Sequence, residues 1–220
     1  MTATGTTEEV KVEFLATAKE MLDCGLVHGT AGNMAARLPD GNVVLTPSSL
    51  DYRTMTLDDL VVCDLDGTVV EGTRNPTSEK SLHLSALNRN PDVDATMHCH
   101  AKYCTMFALT RQAIPAVIEE VLVYLGGDVP VAEYCTTGSV ELAEEVSKHL
   151  SERAAVLMAN HGLFVVARSP SHSLELAQLV ELTAEIVWGA MLVGKIVPLP
   201  DAIVEQFSSY YRMGRGRSPR

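Results

Sequence analysis

Apolar residues recur along the chain at two spacings that predict different elements. Residues 8–26 and 170–193 carry apolar side chains at helical spacing, whereas short apolar runs bounded by turn residues are typical of strands. Further helices are predicted over residues 76–90, 101–109, 138–150 and 201–211. Strands are predicted over residues 34–37, 43–46, 95–100, 116–123, 130–134, 154–159 and 163–167, with two more between residues 60 and 70.

The order of these elements predicts one α/β domain over residues 1–220. Strands and helices follow one another without the strict alternation of a parallel sheet, which favours a central, mostly antiparallel β-sheet flanked by helices on both faces. Residues 1–7 are small and polar and residues 213–220 are basic, so we expect both ends to be mobile.

Composition narrows the classes of partner. The chain has 220 residues, of which 46% are hydrophobic, and this is ample for one buried core. Its net charge of -11 argues against nucleic acid or an anionic membrane surface as the main partner. No apolar run approaches the roughly 18 to 20 residues of a membrane span. Five cysteines without a C-x-x-C pair are typical of the reducing cytoplasm rather than of a disulfide scaffold.

Two histidines stand at the end of a predicted strand. Thr96, His98 and His100 alternate with apolar residues, so both imidazoles lie on one face of the strand. Neutral imidazole is a common zinc ligand, and three protein ligands with an open position are typical of a catalytic site. Glu79 and His161, each beside small polar residues, are candidates to complete the set. The alternative at this point is two ordinary histidines at a strand end.

Three short segments of small polar residues are candidate phosphate-binding loops. They are residues 29–33, 46–49 and 77–78, which are rich in Gly, Thr, Ser and Asn. In an acidic chain, backbone N–H groups, hydroxyls and a helix N-terminus still hold a phosphate without a basic patch. Each loop alone is equally typical of an ordinary turn.

Taken in order, these segments resemble the class II aldolase and adducin-head family, and most closely its L-fuculose-1-phosphate aldolase branch. The resemblance covers nearly the whole chain. The matching residues are Gly29-Thr30-Ala31-Gly32-Asn33, Thr46-Pro47-Ser48, Ser78-Glu79, His98-Cys99-His100, Gly126-Gly127, Gly138 with Glu141-Leu142, and Asn160-His161-Gly162.

The resemblance implies a zinc site and a phosphate site. The implied zinc ligands are Glu79, His98, His100 and His161. The implied substrate-binding residues are Asn33, Ser48, Thr77 and Ser78 for the phosphate, with Thr30, Gly32 and Ser49 in the same loops. His83 follows Glu79 at helical spacing and is an alternative ligand, which we expect to pack instead because the set is complete without it.

The resemblance also implies a homotetramer with active sites between subunits. A C-terminal tyrosine would reach the neighbouring site; Tyr210 is the best match and Tyr211 the alternative, and each is otherwise an anchor of the last helix. Two positions depart from the branch, because Glu120 stands in place of a catalytic tyrosine and Ser49 in place of a glycine. Glu119 and Glu120 are otherwise a solvated surface pair.

The implied activity is zinc-dependent cleavage of a ketose 1-phosphate to dihydroxyacetone phosphate and an aldehyde. Glu79 would handle the proton of the enediolate, and Glu120 or Tyr210 would serve the oxygen of the departing aldehyde. Glu120 also leaves open a 3-oxo-tetronate 4-phosphate decarboxylase, which needs the same enediolate. The family's epimerases carry aspartate at the position of Glu79, and a non-enzymatic adducin-like module would have lost metal ligands, so both are less favoured.

Overall fold

The computed structural model describes residues 5–215, which form one open eight-stranded sheet with helices on both faces. The strands are β1 (Asn33–Arg37), β2 (Val43–Leu45), β3 (Val61–Cys63), β4 (Val69–Glu71), β5 (Ala95–Cys99), β6 (Val131–Ala132), β7 (Ala155–Met158) and β8 (Gly162–Ala167). The α-helices are α1 (Thr7–Asp23), α2 (Lys80–Arg89), α3 (Lys102–Thr110), α4 (Glu119–Leu125), α5 (Val140–Ser147), α6 (Pro170–Val193) and α7 (Asp201–Gly214).

The sheet confirms the predicted single α/β domain with a mostly antiparallel sheet. Its strand order is β4-β3-β2-β1-β5-β8-β7-β6. All neighbouring strands are antiparallel except β6 and β7, which are parallel. β5 therefore lies near the centre, where His98 has Asn33 of β1 opposite it on one side and Phe164 of β8 on the other.

The side chains of β5 alternate between two layers, because successive residues of a strand point to opposite faces. Met97 and Cys99 belong to the larger apolar layer, which packs under α1, α3, α4 and α6. Thr96 and His98 point to the other face, which α2 and α5 cover with a second apolar layer. The polar residues of β5 therefore face α2.

Helix α6 has the limits predicted from its apolar spacing. Ser169 caps it by accepting a hydrogen bond from the backbone N–H of His172, and Pro170 occupies the first turn, where a missing N–H costs nothing. By length and composition α6 is apolar enough to cross a membrane, which corrects the expectation that no segment approaches a span. The core helix of a globular domain passes the same test, and Leu176 and Val180 of α6 pack into the larger apolar layer.

The prediction of a strand over residues 116–123 is wrong. This segment contains the start of helix α4, because Val121, Leu122 and Leu125 supply a helical rather than an alternating set of buried side chains. Its β-branched residues favoured a strand in the sequence. The strand predicted over residues 130–134 shrinks to β6, which pairs with β7 over two residues only.

Arg215 fastens the C-terminal helix to the body of the domain. Its guanidinium donates to Asp92 Oδ2 at 2.6 Å, to the carbonyl oxygen of Leu150 at 3.0 Å and to the hydroxyl of Tyr211 at 2.8 Å. A buried guanidinium stabilises a fold only when acceptors surround it, as they do here. The end of α7 is therefore held against the loops after α2 and α5.

The chain ends are more regular than the sequence suggested. α1 already begins at Thr7 and α7 runs through Gly214, so part of each terminus predicted to be mobile is helical. Residues 1–4 and 216–220, to which the same prediction applies, lie outside the described residues.

Gly162 lets the start of β8 approach the end of β5. A Cβ atom at this position would lie 2.4 Å from the carbonyl oxygen of Cys99, and 3.2 and 3.3 Å from ring atoms of His100 and His98. The backbone oxygen cannot move away as a flexible side chain would, because the strand pairing holds it. Glycine is therefore required where the two strand ends meet.

We expect Gly162→Ala to lower the free energy of unfolding by about 1 to 3 kcal/mol, the range for overpacking a tight site. Gly189→Ala is the matched control, because it adds the same methyl group to α6 where nothing lies within 4 Å, and it should be neutral or stabilise by up to about 1 kcal/mol. Urea unfolding of both variants measures the difference. Equal stability of the two would contradict the steric argument.

Candidate metal centre and substrate pocket

Three histidines and one glutamate meet at the ends of strands and the start of a helix. His98 lies in β5, His100 follows that strand, His161 precedes β8, and Glu79 immediately precedes α2. Because β5 and β8 are antiparallel neighbours, the end of the first lies beside the start of the second. The sheet therefore brings together His98 and His161, which are 63 positions apart in the sequence.

The ligand atoms of these side chains are close enough to hold one metal ion. The ligand nitrogens of the three histidines lie within 4.8 Å of one another, with 3.0 Å between His98 Nε2 and His100 Nε2. Glu79 Oε2 is 3.3 Å from His98 Nε2, and Glu79 Oε1 is 3.7 Å from His161 Nε2. Zinc–nitrogen bonds of about 2.0 Å in a tetrahedron place neighbouring ligand atoms about 3.3 Å apart, so the spacings suit zinc.

The hydrogen bonds around the cluster leave its lone pairs facing one another. His98 Nδ1 lies 2.9 Å from the carbonyl oxygen of Leu163, which can only accept, so Nδ1 carries the proton and Nε2 presents a lone pair. This lone pair faces the carboxylate of Glu79, whose Oε1 is buried and has no hydrogen-bond partner among residues 5–215. A divalent cation between these groups would satisfy all of them, so the donor set fits a metal ion.

Burial keeps two of the imidazoles in the neutral form that binds metals. Burial, followed by the nearby His161 and His100, lowers the pKa of His98 well below its ordinary value. Burial and His161 also lower the pKa of His100, against the opposing effect of Glu79. Both rings are therefore neutral at pH 7 and available as ligands.

The turn before α2 positions Glu79. Helix α2 begins at Lys80, later than the start of the helix predicted over residues 76–90. The hydroxyl of Thr77 instead accepts a hydrogen bond from the backbone N–H of Glu79 at 3.2 Å. Glu79 thus occupies the cap position, where the partial positive charge of the helix N-terminus favours a carboxylate.

A polar cavity of about 190 Å³ opens beside the cluster. Glu79, His100 and His161 line it, together with all seven residues predicted to bind the substrate. The seven are Thr30, Gly32, Asn33, Ser48, Ser49, Thr77 and Ser78. Thr137, on the loop before α5, also lines the cavity, and it carries no signal in the sequence beyond a pair of threonines.

Hydrogen bonds tie the cavity loops to one another and to the core. The backbone N–H of Thr77 donates to the carbonyl of Thr46 at 3.0 Å, which joins two of the loops. The hydroxyl of the buried Tyr52 donates to the carbonyl of Gly32 at 2.7 Å and so holds the third loop. Loops that are already in place lose little entropy when a ligand binds.

Ser49 has a left-handed backbone conformation, with φ of 58°. Glycine adopts this conformation freely, whereas a serine there carries strain of about 1 kcal/mol. The geometry therefore accounts for the glycine that the family resemblance places at this position. The hydroxyl of Ser49 lies 3.4 Å from that of Ser48 and adds a polar group to the cavity wall.

Asn33 and His83 have partners that the sequence did not indicate. The predicted phosphate ligand Asn33 donates through Nδ2 to Glu79 Oε2 at 2.9 Å, and its Oδ1 lies 2.6 Å from His83 Nε2. Its amide therefore contacts Glu79, the candidate metal ligand, directly, which leaves one N–H for the cavity. His83 is fully buried and packs beside Phe164, with ring centroids 5.4 Å apart.

Glu120 and Tyr210, both predicted to be catalytic, do not line the cavity of their own chain. Glu120 is exposed in the first turn of α4, and Tyr210 is exposed on α7, which packs against α4. The ring of Tyr211 is instead buried against Gly126, and its hydroxyl accepts a hydrogen bond from Arg215. Of the two tyrosines, Tyr210 is therefore the one exposed to another molecule.

Comparison with known proteins finds relatives over nearly the whole chain. Residues 12–188 match the family described as Class II Aldolase and Adducin N-terminal domain. An L-fuculose phosphate aldolase of Escherichia coli K12 is 34% identical over 203 residues, which cover 90% of this chain and 94% of that protein. A 5-deoxy-D-ribulose 1-phosphate aldolase of Bacillus thuringiensis is 32% identical over 205 residues, which cover 93% and 96%.

Solved structures share the fold. A structure named L-fuculose 1-phosphate aldolase has a TM-score of 0.89 and 35% identity, and the alignment covers 94% of this chain and 98% of that one. YgbL of Klebsiella pneumoniae, described broadly as an aldolase, epimerase or decarboxylase, has a TM-score of 0.86 and 25% identity, with coverage of 92% and 99%.

We expect the metal-free protein to lose stability as the pH falls below about 6.5, the ordinary histidine value. His83 is fully buried, and burial lowers its pKa to about 3. A depressed histidine pKa means that the unfolded chain binds a proton that the folded chain does not. Above about pH 6.5 the neutral His83 ring therefore makes its full contribution to the free energy of unfolding. As the pH falls towards the pKa of His83 in the folded protein, this contribution decreases by about 1.4 kcal/mol per pH unit.

Urea unfolding of the metal-free protein at several values between about pH 7 and about pH 5 measures this slope. His83→Gln should reduce it, whereas His28→Gln, which changes an exposed histidine, should leave it unchanged. The expectation fails if both substitutions give the slope of the unmodified protein.

Proposed function

The chain belongs to the class II aldolase and adducin family, and on that premise we propose that it is a zinc-dependent aldolase that cleaves a ketose 1-phosphate into dihydroxyacetone phosphate and an aldehyde. The observation that carries the proposal is Glu79 Oε1, which is buried beside three imidazoles and has no hydrogen-bond partner among the described residues. Such a cluster destabilises the fold unless a cation occupies it, and the cavity that Glu79, His100 and His161 line would leave that cation open to a substrate, as catalysis requires.

The cavity suits the phosphate end of such a substrate. Hydroxyls of Ser48, Ser49 and Ser78 and the backbone of the glycine-rich loop surround it without a lysine or arginine. Neutral donors of this kind hold a phosphate while the chain as a whole carries a net charge of -11. These neutral donors also form no ion pair with the Glu79 carboxylate, so the carboxylate stays available to bind the metal.

Different side chains of this protein would perform different parts of the reaction. Bound zinc supplies Lewis-acid stabilisation of the negative charge that develops on the substrate oxygens when the C3–C4 bond breaks. His98 is fully buried, whereas His100 and His161 line the cavity, so a metal ion held by these three residues would be reached from the cavity. Glu79 also lines the cavity, so its carboxylate is placed to exchange the proton at C3.

The aldehyde end of the substrate would meet Glu120 and Tyr210 of a neighbouring subunit in a homotetramer. Both residues are exposed on α4 and α7, a pair of packed helices, and neither lines the cavity of its own chain. A site completed across an interface accounts for both observations. The five free cysteines fit a reducing compartment, such as the cytoplasm, for this assembly.

A second candidate reaction is decarboxylation of 3-oxo-tetronate 4-phosphate. It passes through the same enediolate and so makes the same demands on the metal and on Glu79. The observation that favours it is Glu120, a carboxylate where the resembling aldolase branch has a tyrosine.

We expect protein purified without chelator to contain about one divalent metal ion per chain and to lose activity when the metal is removed. Assays should test L-fuculose 1-phosphate and 5-deoxy-D-ribulose 1-phosphate for release of dihydroxyacetone phosphate, and 3-oxo-tetronate 4-phosphate for release of carbon dioxide. Their unphosphorylated sugars are the controls and should react poorly. Full activity in strong chelator would refute the metal-dependent reaction, and carbon dioxide release alone would establish the second candidate.

We expect Glu120→Gln to lower kcat by roughly 100 to 10000-fold, the effect of removing a positioned acid or base, while metal content and oligomeric state persist. Proton exchange at C3 of dihydroxyacetone phosphate, followed by NMR in deuterium oxide, should survive, because Glu79 rather than Glu120 performs it. Tyr210→Phe should also lower kcat. Tyr211→Phe is its matched control and should affect stability instead; near-normal cleavage by Glu120→Gln would place Glu120 among surface residues.

A further inference from the structure

A chain of buried polar groups runs from the centre of the sheet to the metal-ligand carboxylate. Thr96 Oγ1 lies 2.6 Å from His83 Nδ1, His83 Nε2 lies 2.6 Å from Asn33 Oδ1, and Asn33 Nδ2 lies 2.9 Å from Glu79 Oε2. All four residues are buried. They belong to β5, α2, β1 and the turn before α2, so three separate elements meet in this chain of hydrogen bonds.

The Glu79 carboxylate and the neutral His83 ring together determine which group donates in each hydrogen bond. An ionised Glu79 can only accept, so Asn33 presents its NH₂ group to Glu79 and its carbonyl oxygen to His83. That oxygen also only accepts, so His83 Nε2 carries the proton. The His83 ring is fully buried, where an imidazole stays neutral, so Nδ1 has a lone pair and the Thr96 hydroxyl donates to it. The donors all point towards the metal centre, and aligned hydrogen bonds strengthen one another.

Simple packing does not explain this arrangement. His83 lies beside Phe164 within an apolar layer formed by α2, α5 and the sheet, where a leucine would pack without any polar group to satisfy. A buried imidazole, amide and hydroxyl each destabilise the fold unless every one is paired. All three groups have hydrogen-bond partners only because they form one row of hydrogen bonds, which ends at Glu79.

We infer that His83 is a positioning residue for the metal centre, which acts by holding the Asn33 amide so that Glu79 Oε2 is engaged and Oε1 is left directed at the metal. Asn33 cannot do this alone, because its amide would be free to rotate without a donor on its carbonyl side. Thr96 in turn selects the His83 tautomer that donates to Asn33. The inference rests on the proposed metal site but not on the identity of the substrate.

Metal affinity of the full-length protein, measured by competition with a chelating dye for zinc, tests this directly. His83→Leu should weaken zinc binding by about 10 to 100-fold, as loss of a partner behind a metal ligand does, and should lower kcat with little change in KM. His83→Gln places an amide N–H near the position of Nε2 and should restore most of the affinity. A role in packing alone predicts the opposite order, because leucine suits the apolar layer better than glutamine.

Thr96→Val keeps the volume of the side chain but removes the hydroxyl donor, so it should weaken zinc binding by less than His83→Leu does. Its matched control is Thr183→Val, which removes an equally buried hydroxyl that bonds within α6 to Leu179 and should leave zinc affinity unchanged. This pair keeps the test decisive if His83→Leu does not fold, and equal affinity for both valine variants and the unmodified protein would overturn the inference.

The dye measurement also separates this inference from the proposed reaction. If the unmodified protein binds zinc but cleaves none of the sugar phosphates, the aldolase proposal fails while the affinities of the variants still decide the role of His83. If folded His83→Leu binds zinc as the unmodified protein does, or if His83→Gln binds it no better than His83→Leu, the inference fails whatever the substrate.

Discussion

The antiparallel pairing of β5 with β1 on one side and β8 on the other is the constraint on which the site depends. It places Asn33 opposite His98 and brings the turn that carries His161 to the end of β5. A shift of β5 by one residue would turn its side chains to the opposite faces, so that Met97 replaced His98 beneath α2. The apolar layer on the other face resists that shift, because Met97 and Cys99 are completely buried in it. The hydrophobic core therefore also sets the positions of the candidate metal ligands.

The same residues couple metal binding to stability. Glu79, His83 and His98 are buried polar groups within a small volume, and without a cation one carboxylate oxygen of Glu79 has no partner among the described residues. A ligand that binds only the folded state stabilises it in proportion to the logarithm of its concentration over its dissociation constant. A metal bound there would offset a cost that the fold bears at the site, so metal removal and acidification would both lower stability through the same cluster.

The sequence predicted site residues where one short segment contains the whole pattern. The alternation of Thr96, His98 and His100 indicated a shared strand face, and the small polar loops all reach the cavity. Contacts between distant segments left no such signal. Nothing beside Asn33 in the sequence indicates His83, because their hydrogen bond depends on how α2 crosses β1. The start of α4 was missed for the opposite reason, since local β-branched residues favoured a strand that the helical spacing of its buried side chains overrules.

The two tyrosines of α7 differ sharply in how far the fold constrains them. Tyr211 is committed to the fold through Gly126 and Arg215, so it cannot change without loosening the C-terminal helix. Tyr210, one residue before it, points outwards beside α4, the helix that carries the exposed Glu120. Residues on such a surface can vary without disturbing the histidine cluster or the loops that line the cavity. Two relatives that are each about one third identical to this chain are named for different sugar phosphates, although each aligns with it over nearly its whole length.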